Sequence, residues 1–408
     1  MGLFDKHATT IKRLDLLKQS GIDPFAICVD QIRSPTHAMI NGRDTVLAGT
    51  NNYLGLTFDQ ACIDAAADAV KTQGTATTGS RIANGTYPGH LELEKEIASF
   101  LDRRAAIVFS TGFQANLGIL AGLAGPTDLI LLDADSHASI YDGCTLSGAT
   151  LIRFRHNSPA DLDKRLERLK GDGTDKLIVV ESIYSMLGDQ APLDEFADVK
   201  RRHGVNLFVD EAHSLGVFGD HGQGLVAELG IEKDVDFVVG TFSKSLGSVG
   251  GFAASDHPQF EILRYTSRPY MYTASSSPAN IEAALEALKQ IRARPELKTK
   301  LWENANALYG RIEQVGLELC APASPIIAVK MPDEASALFF WNALMEAGVY
   351  VNLALPPGTP NGACLLRCSL SAAHSPHDVE QIGDAFAEIA VGLAEFAADP
   401  PQHVSQKS

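Results

Sequence analysis

The sequence predicts an α/β fold in which a mostly parallel sheet of seven strands forms a large domain and a smaller α+β domain follows. The first observation is a series of short apolar runs between residues 106 and 255, most of them separated by segments long enough for a helix. The second is that polar residues follow the ends of several of these runs. This alternation is typical of a parallel sheet with helices on both faces.

The seven predicted strands are short apolar runs. They lie at residues 106–109, 129–133, 151–154, 177–181, 205–209, 237–239 and 251–255. A helix is predicted directly after the first strand, because Ser110, Thr111 and Gly112 precede an apolar segment. The free N–H groups at such a helix terminus can bind phosphate, although Ser and Thr also cap helices that bind nothing.

The rest of the chain is predicted to form an N-terminal segment and a C-terminal domain. Helices are expected over 9–20, from Pro278 on to Ile312, near 334–347 and over 376–397, with strands at 326–329 and 364–369. The predicted divisions are 1–57 for the N-terminal helix and leading segment, 58–290 for the large domain, 291–397 for the small domain and 398–408 for a disordered tail.

Lys244 follows the predicted strand near residue 237, in the segment Thr241-Phe242-Ser243-Lys244. Ammonium groups are rarely buried without a partner or a task. Burial also lowers the pKa of an amine toward neutrality, and neutral amines form Schiff bases. The alternative is a loop lysine whose ammonium group reaches solvent.

Asp210 ends another apolar run, and His213 follows it three residues later. In an open parallel sheet, ligands bind beyond the carboxyl ends of the strands, so Asp210 and Lys244 are expected at the same edge. A lysine that forms a Schiff base and an aspartate that keeps a pyridinium nitrogen protonated are what pyridoxal phosphate requires. The pair therefore predicts a pyridoxal-phosphate site, to which His137 and Ser185, also placed after strands, would contribute.

The composition excludes several other classes of protein. The chain has 408 residues, 45% of them apolar and 21% charged, and a formal net charge of −16, which argues against nucleic-acid binding. The six cysteines are scattered without metal-binding spacing, so we expect reduced thiols, no metal site and a cytoplasmic location. No apolar run approaches the ~20 residues that a membrane-spanning helix needs, which leaves peripheral membrane contact open.

Six segments of the chain together resemble the α-oxoamine synthases, pyridoxal-phosphate enzymes of fold type I, the aspartate-aminotransferase type. They are Thr-Asn-Asn-Tyr-Leu-Gly (50–55), Thr-Gly-Phe-Gln-Ala-Asn (111–116), Asp-Ser-His-Ala-Ser (135–139), Tyr-Ser-Met-Leu-Gly-Asp (184–189), Asp-Glu-Ala-His-Ser (210–214) and Thr-Phe-Ser-Lys (241–244). The resemblance follows nearly the whole chain in order. Segments 77–81, 132–143, 153–158 and 365–369 resemble the bacterial members that condense L-serine with a long-chain acyl-CoA.

The resemblance implies roles for a set of residues around the cofactor and the substrates. Catalytic roles fall to Lys244, His137, Asp210 and His213. Cofactor-binding roles fall to Gly112, Phe113, His137, Ser185, Asp210, His213, Thr241, Ser243, Lys244, Thr273 and Ala274. Substrate-binding roles fall to Asn52, Tyr53 and Arg367. Thr273 and Ala274 would reach the cofactor of a partner subunit, so the resemblance implies a homodimer with shared active sites.

Recognition of the amino acid is the point at which the chain departs from the family pattern. Arg367 corresponds to the arginine that binds the substrate carboxylate, and its alternative role is a structural salt bridge. Leu355 stands in a loop where the serine-using members usually have an arginine. Ala76 stands where the family often has a glycine.

The reaction that the resemblance implies is a decarboxylative, Claisen-like condensation of L-serine with palmitoyl-CoA. It gives 3-ketosphinganine, CoA and CO2, and it is the first step of sphingolipid synthesis. Other members of the family join glycine or alanine to other acyl thioesters, forming aminolevulinate, aminoketobutyrate or aminooxononanoate. A cofactor-binding regulator is the alternative from a different class, but it needs a DNA-binding helix-turn-helix, for which the short N-terminal segment offers no room.

Overall fold

The computed structural model describes residues 2–19, 23–171 and 173–398. Their helices are α1 (Ala8–Gln19), α2 (Gln60–Gln73), α3 (Pro88–Phe100), α4 (Gly112–Leu123), α5 (Ala138–Ser147), α6 (Pro159–Arg168), α7 (Leu193–His203), α8 (Leu225–Glu228), α9 (Leu263–Thr266), α10 (Arg268–Tyr272), α11 (Pro278–Ala293), α12 (Glu296–Gln314), α13 (Glu334–Glu346) and α14 (Pro376–Ala398). Their strands are β1 (Gln31–Ile32), β2 (His37–Ile40), β3 (Arg43–Leu47), β4 (Ala105–Phe109), β5 (Leu129–Asp133), β6 (Thr150–Phe154), β7 (Lys176–Glu181), β8 (Asn206–Asp210), β9 (Phe237–Thr241), β10 (Gly251–Ser255), β11 (Glu318–Leu319), β12 (Ile326–Met331), β13 (Val349–Tyr350), β14 (Asn352–Ala354) and β15 (Cys364–Ser369).

The predicted seven-stranded sheet is confirmed, with the strand order β4-β10-β9-β8-β7-β5-β6. Strand β10 is antiparallel to both of its neighbours, and the other pairs are parallel. Strands β4, β5, β7, β8 and β9 therefore end at the same edge of the sheet. The residues that follow these strands are brought together there, as expected for an open parallel sheet.

Both faces of this sheet are buried. On β5, Ile130 and Leu132 pack into one apolar cluster, whereas Leu131 packs into the cluster on the opposite face. On β8, Phe208 points to the first of these faces and Leu207 to the second. Successive side chains of a strand alternate between the faces of a sheet, so continuous apolar runs are what a sheet covered on both sides requires.

Two smaller sheets complete the fold. One has the order β11-β12-β15-β14 and contains both strands predicted for the C-terminal domain. The other has the order β1-β2-β3-β13, so strands from the N-terminal segment pair with a strand of the C-terminal part. The sequence did not predict β1, β2 and β3, because these strands span only two, four and five residues, too few for a periodic pattern to stand out.

The prediction of one helix from Pro278 on to Ile312 was wrong in one respect, because the structure contains two helices there. Helix α11 ends at Ala293, and α12 begins at Glu296. Pro295 has no backbone N–H to donate, and a proline disfavours helical geometry in the residue before it, here Arg294. The predicted domain boundary at 290/291 falls in the last turn of α11, and the domain divisions stay predictions.

The described residues contain no helix long and apolar enough to cross a bilayer. The tail predicted at 398–408 lies outside the described residues except for Ala398, at which α14 ends.

Candidate active site

A cavity of about 280 Å³ opens at the carboxyl edge of the seven-stranded sheet. Eight of the residues predicted to act in the site line it: Gly112, Phe113, His137, Asp210, His213, Thr241, Ser243 and Lys244. They come from the ends of separate strands and from the turns that follow them. The same cavity is lined by Asn116, Ser139 and Glu181, to which the sequence analysis gave no role.

Lys244 supplies an amine to this cavity from the loop after β9. Burial lowers the pKa of Lys244 to about 8, although the negative charges of Asp210 and Glu181 oppose the shift. Arg367 contributes in the same direction as burial, because a second cation disfavours the ammonium form. A substantial fraction of the amine is therefore neutral at mildly alkaline pH, which is the form that attacks an aldehyde.

Asp210 is held in place by two donors. Its Oδ2 accepts a hydrogen bond from Asn116 Nδ2 at 2.7 Å, and its Oδ1 accepts one from the backbone N–H of Ala212 at 2.8 Å. Asn116 Nδ2 also lies 3.0 Å from Ser139 Oγ, and that hydroxyl lies 2.8 Å from His137 Nδ1. A continuous chain of hydrogen bonds thus connects the carboxylate to the imidazole. Both groups are oriented before any ligand binds.

His137 and Glu181 are neighbours below the cavity. Glu181 Oε1 accepts a hydrogen bond from the backbone N–H of His137. Glu181 also lies in register with Asp210 on the adjacent strand. Burial raises the pKa of Glu181 well above its ordinary value, and the charge of Asp210 raises it further. Burial lowers the pKa of His137, with Asp210 opposing, so the imidazole is neutral near pH 7.

His213 is buried beside Tyr53, whose phenolic oxygen lies 2.7 Å from His213 Nδ1. Burial raises the pKa of Tyr53 to about 12, so the phenol keeps its proton and can donate a hydrogen bond to Nδ1. Burial, together with the charge of Lys244, lowers the pKa of His213 well below its ordinary value, so the imidazole is neutral. In the tautomer that accepts from Tyr53, the imidazole proton stands on Nε2.

The other end of the cavity is suited to an anion. Helix α4 begins at Gly112, and Thr111 Oγ1 caps it by accepting a hydrogen bond from Gln114 N. The N–H groups of Gly112 and Phe113 stand in the first turn, where no intrahelical acceptor exists. A Cβ at position 112 would lie 2.7 Å from the Cβ of Thr241, so only glycine fits between the helix and β9. The Thr241 and Ser243 hydroxyls lie 2.9 Å apart beside it.

A second cavity of about 450 Å³ shares Ser243 and Lys244 with the first. Asn52 lines it, together with apolar side chains such as Leu56, Ile63 and Leu246. Asn52 Nδ2 donates to Thr57 Oγ1 at 2.7 Å.

Arg367 is buried close to this centre, and its donors meet only uncharged acceptors. Its Nε donates to the Ser185 carbonyl at 2.5 Å, Nη1 donates to Ser369 Oγ at 2.8 Å, and Nη2 donates to Asn51 Oδ1 at 3.2 Å. Within the described residues no carboxylate forms a salt bridge with Arg367, so the structural ion pair considered from the sequence is not found. Its positive charge is available to an anionic ligand.

Six of the predicted site residues do not line the first cavity: Asn52, Tyr53, Ser185, Thr273, Ala274 and Arg367. Ser185 contacts Arg367 through its carbonyl oxygen. Thr273 Oγ1 lies 3.4 Å from Gln114 Nε2, and the Ala274 carbonyl accepts from Ser110 Oγ at 2.6 Å. Leu355 is buried in the apolar core. The roles of these residues, and of those lining the cavity, stay predictions.

The donor set fits pyridoxal phosphate. The cavity combines one amine, one fixed carboxylate, a neutral imidazole and a helix N-terminus in contact with hydroxyl groups. Asn116 Oδ1 is buried and has no partner among the described residues, which is consistent with a missing polar ligand. The same residues offer little to a metal ion, since the part of the chain that the structure describes contains no cluster of His, Cys, Asp or Glu able to hold one.

The chain matches the model of the aminotransferase class I and II family over residues 43–386, and it belongs to that family. It is 52% identical to a serine palmitoyltransferase of Caulobacter vibrioides over 393 residues, which cover 96% of this chain and 97% of that protein. It is 48% identical to a serine palmitoyltransferase of Sphingomonas paucimobilis over 383 residues, which cover 93% of this chain and 91% of that protein.

The solved structures give the same result. A structure of SPT with its PLP internal aldimine superposes with a TM-score of 0.94 and 46% identity, covering 97% of this chain and all of that one. The resemblance to the α-oxoamine synthases and the aspartate-aminotransferase type of fold are therefore confirmed.

Proposed function

We propose that this protein condenses L-serine with a long-chain acyl-CoA, palmitoyl-CoA first among them, to give 3-ketosphinganine, CoA and CO2. In this reaction serine Cα loses its proton and forms a bond to the thioester carbon. The CoA thiolate leaves, the serine carboxylate is lost as CO2, and a proton takes its place on Cα. The observation that carries the proposal is the 52% identity to a serine palmitoyltransferase along nearly the whole length of both chains.

Pyridoxal phosphate is the cofactor of this reaction, and the first cavity has the groups to hold it. Bound there, it would hold the amine of serine and accept the electron pair that the Cα–H bond releases. Gly112, Phe113, Thr241 and Ser243 would bind its phosphate through backbone N–H and hydroxyl groups. Asp210 would face its ring nitrogen.

Lys244 is the proposed base. Its amine has a pKa of about 8, so it can take a proton from serine Cα and return one near neutral pH. Asp210 keeps its orientation through Asn116 and Ala212, so its negative charge stays directed at one position. His213 would donate a hydrogen bond to a ring oxygen, and His137 would cover the ring face.

Arg367 is the proposed carboxylate-binding residue. Its buried guanidinium has no anionic partner among the described residues, and an arginine can hold a carboxylate with two parallel hydrogen bonds. Asn52 lines the second cavity together with Lys244, and the Tyr53 hydroxyl lies 3.4 Å from Asn51 Oδ1, the oxygen that accepts from Arg367. Both residues would complete the serine site. The apolar walls of the second cavity suit the acyl chain of the thioester.

We also propose a homodimer with shared active sites. Thr273 and Ala274 do not line the cavity of their own subunit, although they lie beside Ser110 and Gln114 at the start of α4. Such a position suits residues that act on the cofactor of a partner. We also propose a cytoplasmic location. Peripheral contact with a membrane would suit an enzyme that releases a long-chain product.

The reaction is tested with the holoenzyme and a panel of L-serine, glycine and L-alanine against palmitoyl-CoA and shorter acyl-CoAs. Release of CoA thiol and of CO2 from the amino-acid carboxylate is measured. We expect both products in equal amounts with serine and palmitoyl-CoA. Faster turnover of glycine or alanine would assign the chain to another α-oxoamine synthase reaction instead.

A further inference from the structure

A group of charged residues outside both cavities has no role in the proposed reaction. It consists of His156, Asp133, Asp135 and Asp189 and is called here the His156 cluster. His156 Nδ1 lies 2.8 Å from Asp133 Oδ1, and Nε2 lies 2.7 Å from Asp189 Oδ2. The Asp135 carboxylate lies 3.9 Å from Nδ1. Asp133 is fully buried, so this is not a solvated surface pair.

His156 is charged in this setting. Burial alone would lower its pKa, but the hydrogen bonds and charges of Asp133 and Asp189 outweigh burial and raise the pKa to about 10. The imidazolium therefore donates from both ring nitrogens at neutral pH. The ring of Tyr184 meets it edge-on, with the ring centroids 4.4 Å apart.

One side of the cluster fixes the turn that leads to His137. Asp133 is the last residue of β5, and its Oδ1 accepts a hydrogen bond from the backbone N–H of Asp135 at 2.9 Å. Its Oδ2 accepts from the backbone N–H of Asn157 at 2.8 Å. The direction in which the chain leaves β5 toward His137 is therefore tied to the position of His156.

On its other side, the cluster contacts residues 182–191, here called the 182–191 turn, because Asp189 belongs to both. The backbone N–H of Tyr184 donates to the Asp189 carbonyl at 3.0 Å, and that of Ala191 donates to Ser182 at 2.9 Å. Asp189 Oδ2 accepts hydrogen bonds from His156 Nε2 at 2.7 Å and from Asn157 Nδ2 at 2.6 Å, and these contacts anchor the turn to the residues after β6. The carbonyl of Ser185, at the tip of the turn, accepts the hydrogen bond from Arg367 Nε.

The C-terminal part of the chain contacts the same turn. Ser324 Oγ donates to the Gly188 carbonyl at 3.0 Å. A Cβ at position 188 would lie 2.4 Å from the carbonyl oxygen of Ile326, and Gly188 has a φ of +76°, so only glycine suits this contact. Ile326 begins β12, whose Ala328 pairs with Arg367 on β15. The turn is thus held between the His156 cluster and the strands that carry Arg367.

We infer that His156 is a positioning residue for amino-acid binding. His156 holds the 182–191 turn through Asp189, and the Ser185 carbonyl of that turn holds Arg367. The inference rests on the proposed function in one respect, namely that Arg367 binds the substrate carboxylate. A neutral side chain at 156 leaves three aspartates without a counter-charge. Their mutual repulsion displaces the turn, and the Ser185 carbonyl moves with it.

The first test measures the binding of L-serine to the holoenzyme, by calorimetry and by the change in cofactor absorbance. His156→Gln is expected to raise the dissociation constant of L-serine about tenfold, because small displacements of a positioning group have effects of this size. The KM for palmitoyl-CoA is expected to change less than about twofold, since that substrate does not depend on Arg367. Unchanged serine affinity in His156→Gln overturns the inference.

The second test combines two substitutions, which separates positioning of Arg367 from a general loss of structure. In an Arg367→Ala background the carboxylate contact is already absent, so adding His156→Gln is expected to change serine affinity little. If the two effects multiply instead, His156 does not act through Arg367 and the inference is wrong. His156→Arg keeps a positive charge between the aspartates and is expected to restore part of the affinity.

Matched variants keep both tests decisive. His203→Gln removes a similar histidine–aspartate contact, 2.7 Å from Asp163, before the amino end of β8 and so at the opposite end of that strand from Asp210, and should leave serine affinity unchanged. If His156→Gln does not fold, Asp189→Asn is the second variant: it removes the charge that binds both His156 and Asn157 Nδ2, leaves the Asp133–His156 contact in place, and must show the same loss of serine affinity. The carboxylate that Arg367 would bind is common to all amino acids. If the wild-type enzyme binds glycine or alanine instead of serine, the proposed substrate is wrong, but the role of His156 can still be tested with that amino acid.

Discussion

At the scale of single residues, the low pKa of Lys244 controls how the apoprotein takes up its cofactor. Only the neutral amine attacks the aldehyde, so the uptake rate should rise about tenfold per pH unit up to about pH 8 and level off above it. A lysine in water would continue to gain reactivity up to about pH 10.4. Stopped-flow absorbance of apoprotein mixed with pyridoxal phosphate measures this profile.

Two controls accompany that measurement. Lys244→Ala should show no covalent uptake at any pH, and borohydride treatment of the wild-type holoprotein should leave the cofactor mass on the peptide that contains Lys244. A rate that still rises tenfold per unit above pH 9, or a label on another lysine, would contradict the assignment.

Asp210 gives a second prediction at this scale. A carboxylate next to a pyridinium nitrogen favours the charged forms of both groups, and the protonated ring is the better electron acceptor. Asp210→Asn keeps the side-chain shape and the contact to the Ala212 N–H. We expect it to bind cofactor and serine but to exchange the serine Cα proton at least about 100-fold more slowly. Exchange followed by NMR in deuterated buffer tests this, and a near-normal rate would refute the role of Asp210.

Arg367 and Leu355 together give a third prediction. Arg367→Ala should raise the serine dissociation constant by roughly tenfold or more, because one charge-assisted hydrogen bond contributes about 1.5–3 kcal/mol. Leu355 is buried in the apolar core, so Leu355→Arg forces a charge into that core and should lower the free energy of unfolding. We expect it not to restore serine binding to Arg367→Ala. Full restoration would show that the loop at 355 opens toward the site.

Much of the candidate site could be predicted at the residue scale, because its groups follow strand ends. Lys244, Asp210 and His137 were singled out for this reason and all line the first cavity. Asn116 was missed as a site residue, although it stands four positions after Gly112 and so lies on the same face of α4, one turn further on. Glu181 was missed because only the register of β7 with β8 places it beside Asp210.

At the scale of elements, the junction of α4 with β9 yields a fourth prediction. Gly112→Ala places a methyl group 2.7 Å from Thr241 Cβ and 2.9 Å from its hydroxyl oxygen. The helix terminus must shift, and its N–H groups lose their position toward the phosphate. We expect weaker cofactor binding, measured by equilibrium dialysis. Gly310→Ala is the control, because a Cβ at position 310 of α12 meets no atom within 4 Å and cofactor affinity should be unchanged.

The elements themselves differ in how well the sequence predicts them. The strands of the large sheet are continuous apolar runs, since both faces are buried, and such runs stand out. Strand β2 instead alternates half-buried and buried residues over four positions, too short a pattern to separate from a loop. The only sequence signal for the break between α11 and α12 is Pro295. The helical spacing of apolar residues on both sides of Pro295 led to the prediction of one continuous helix.

At the scale of the whole molecule, pairing of β3 with β13 joins the N-terminal segment to the C-terminal part. No local pattern could predict this contact, because the two strands lie about 300 residues apart and neither shows its partner in its own sequence. We propose that strands β1, β2 and β3 are part of the small domain, and that the large domain is the one predicted at 58–290.

The last prediction concerns the dimer, and it follows from Thr273 lying outside the cavity of its own subunit. If each site uses Lys244 of one subunit and Thr273 of the other, Lys244→Ala and Thr273→Glu homodimers should both be inactive. A mixed dimer would contain one site with both wild-type residues. Random mixing makes half of the dimers mixed, each with one working site of two, so activity should return to about one quarter of wild type.

The experiment unfolds and refolds the two variants together at equal concentrations and compares the activity of the unseparated mixture with that of each variant refolded alone; an affinity tag on one variant, which retains untagged protein only in mixed dimers, verifies that these dimers form. CoA release from palmitoyl-CoA and serine is then measured. Tagged and untagged wild-type protein treated in the same way is the control for recovery. Sites built within one subunit would give no rescue, because the subunit with Lys244 would still carry Glu at position 273. That outcome would require Thr273 and Ala274 to act on their own subunit, through Gln114 and Ser110 at the start of α4.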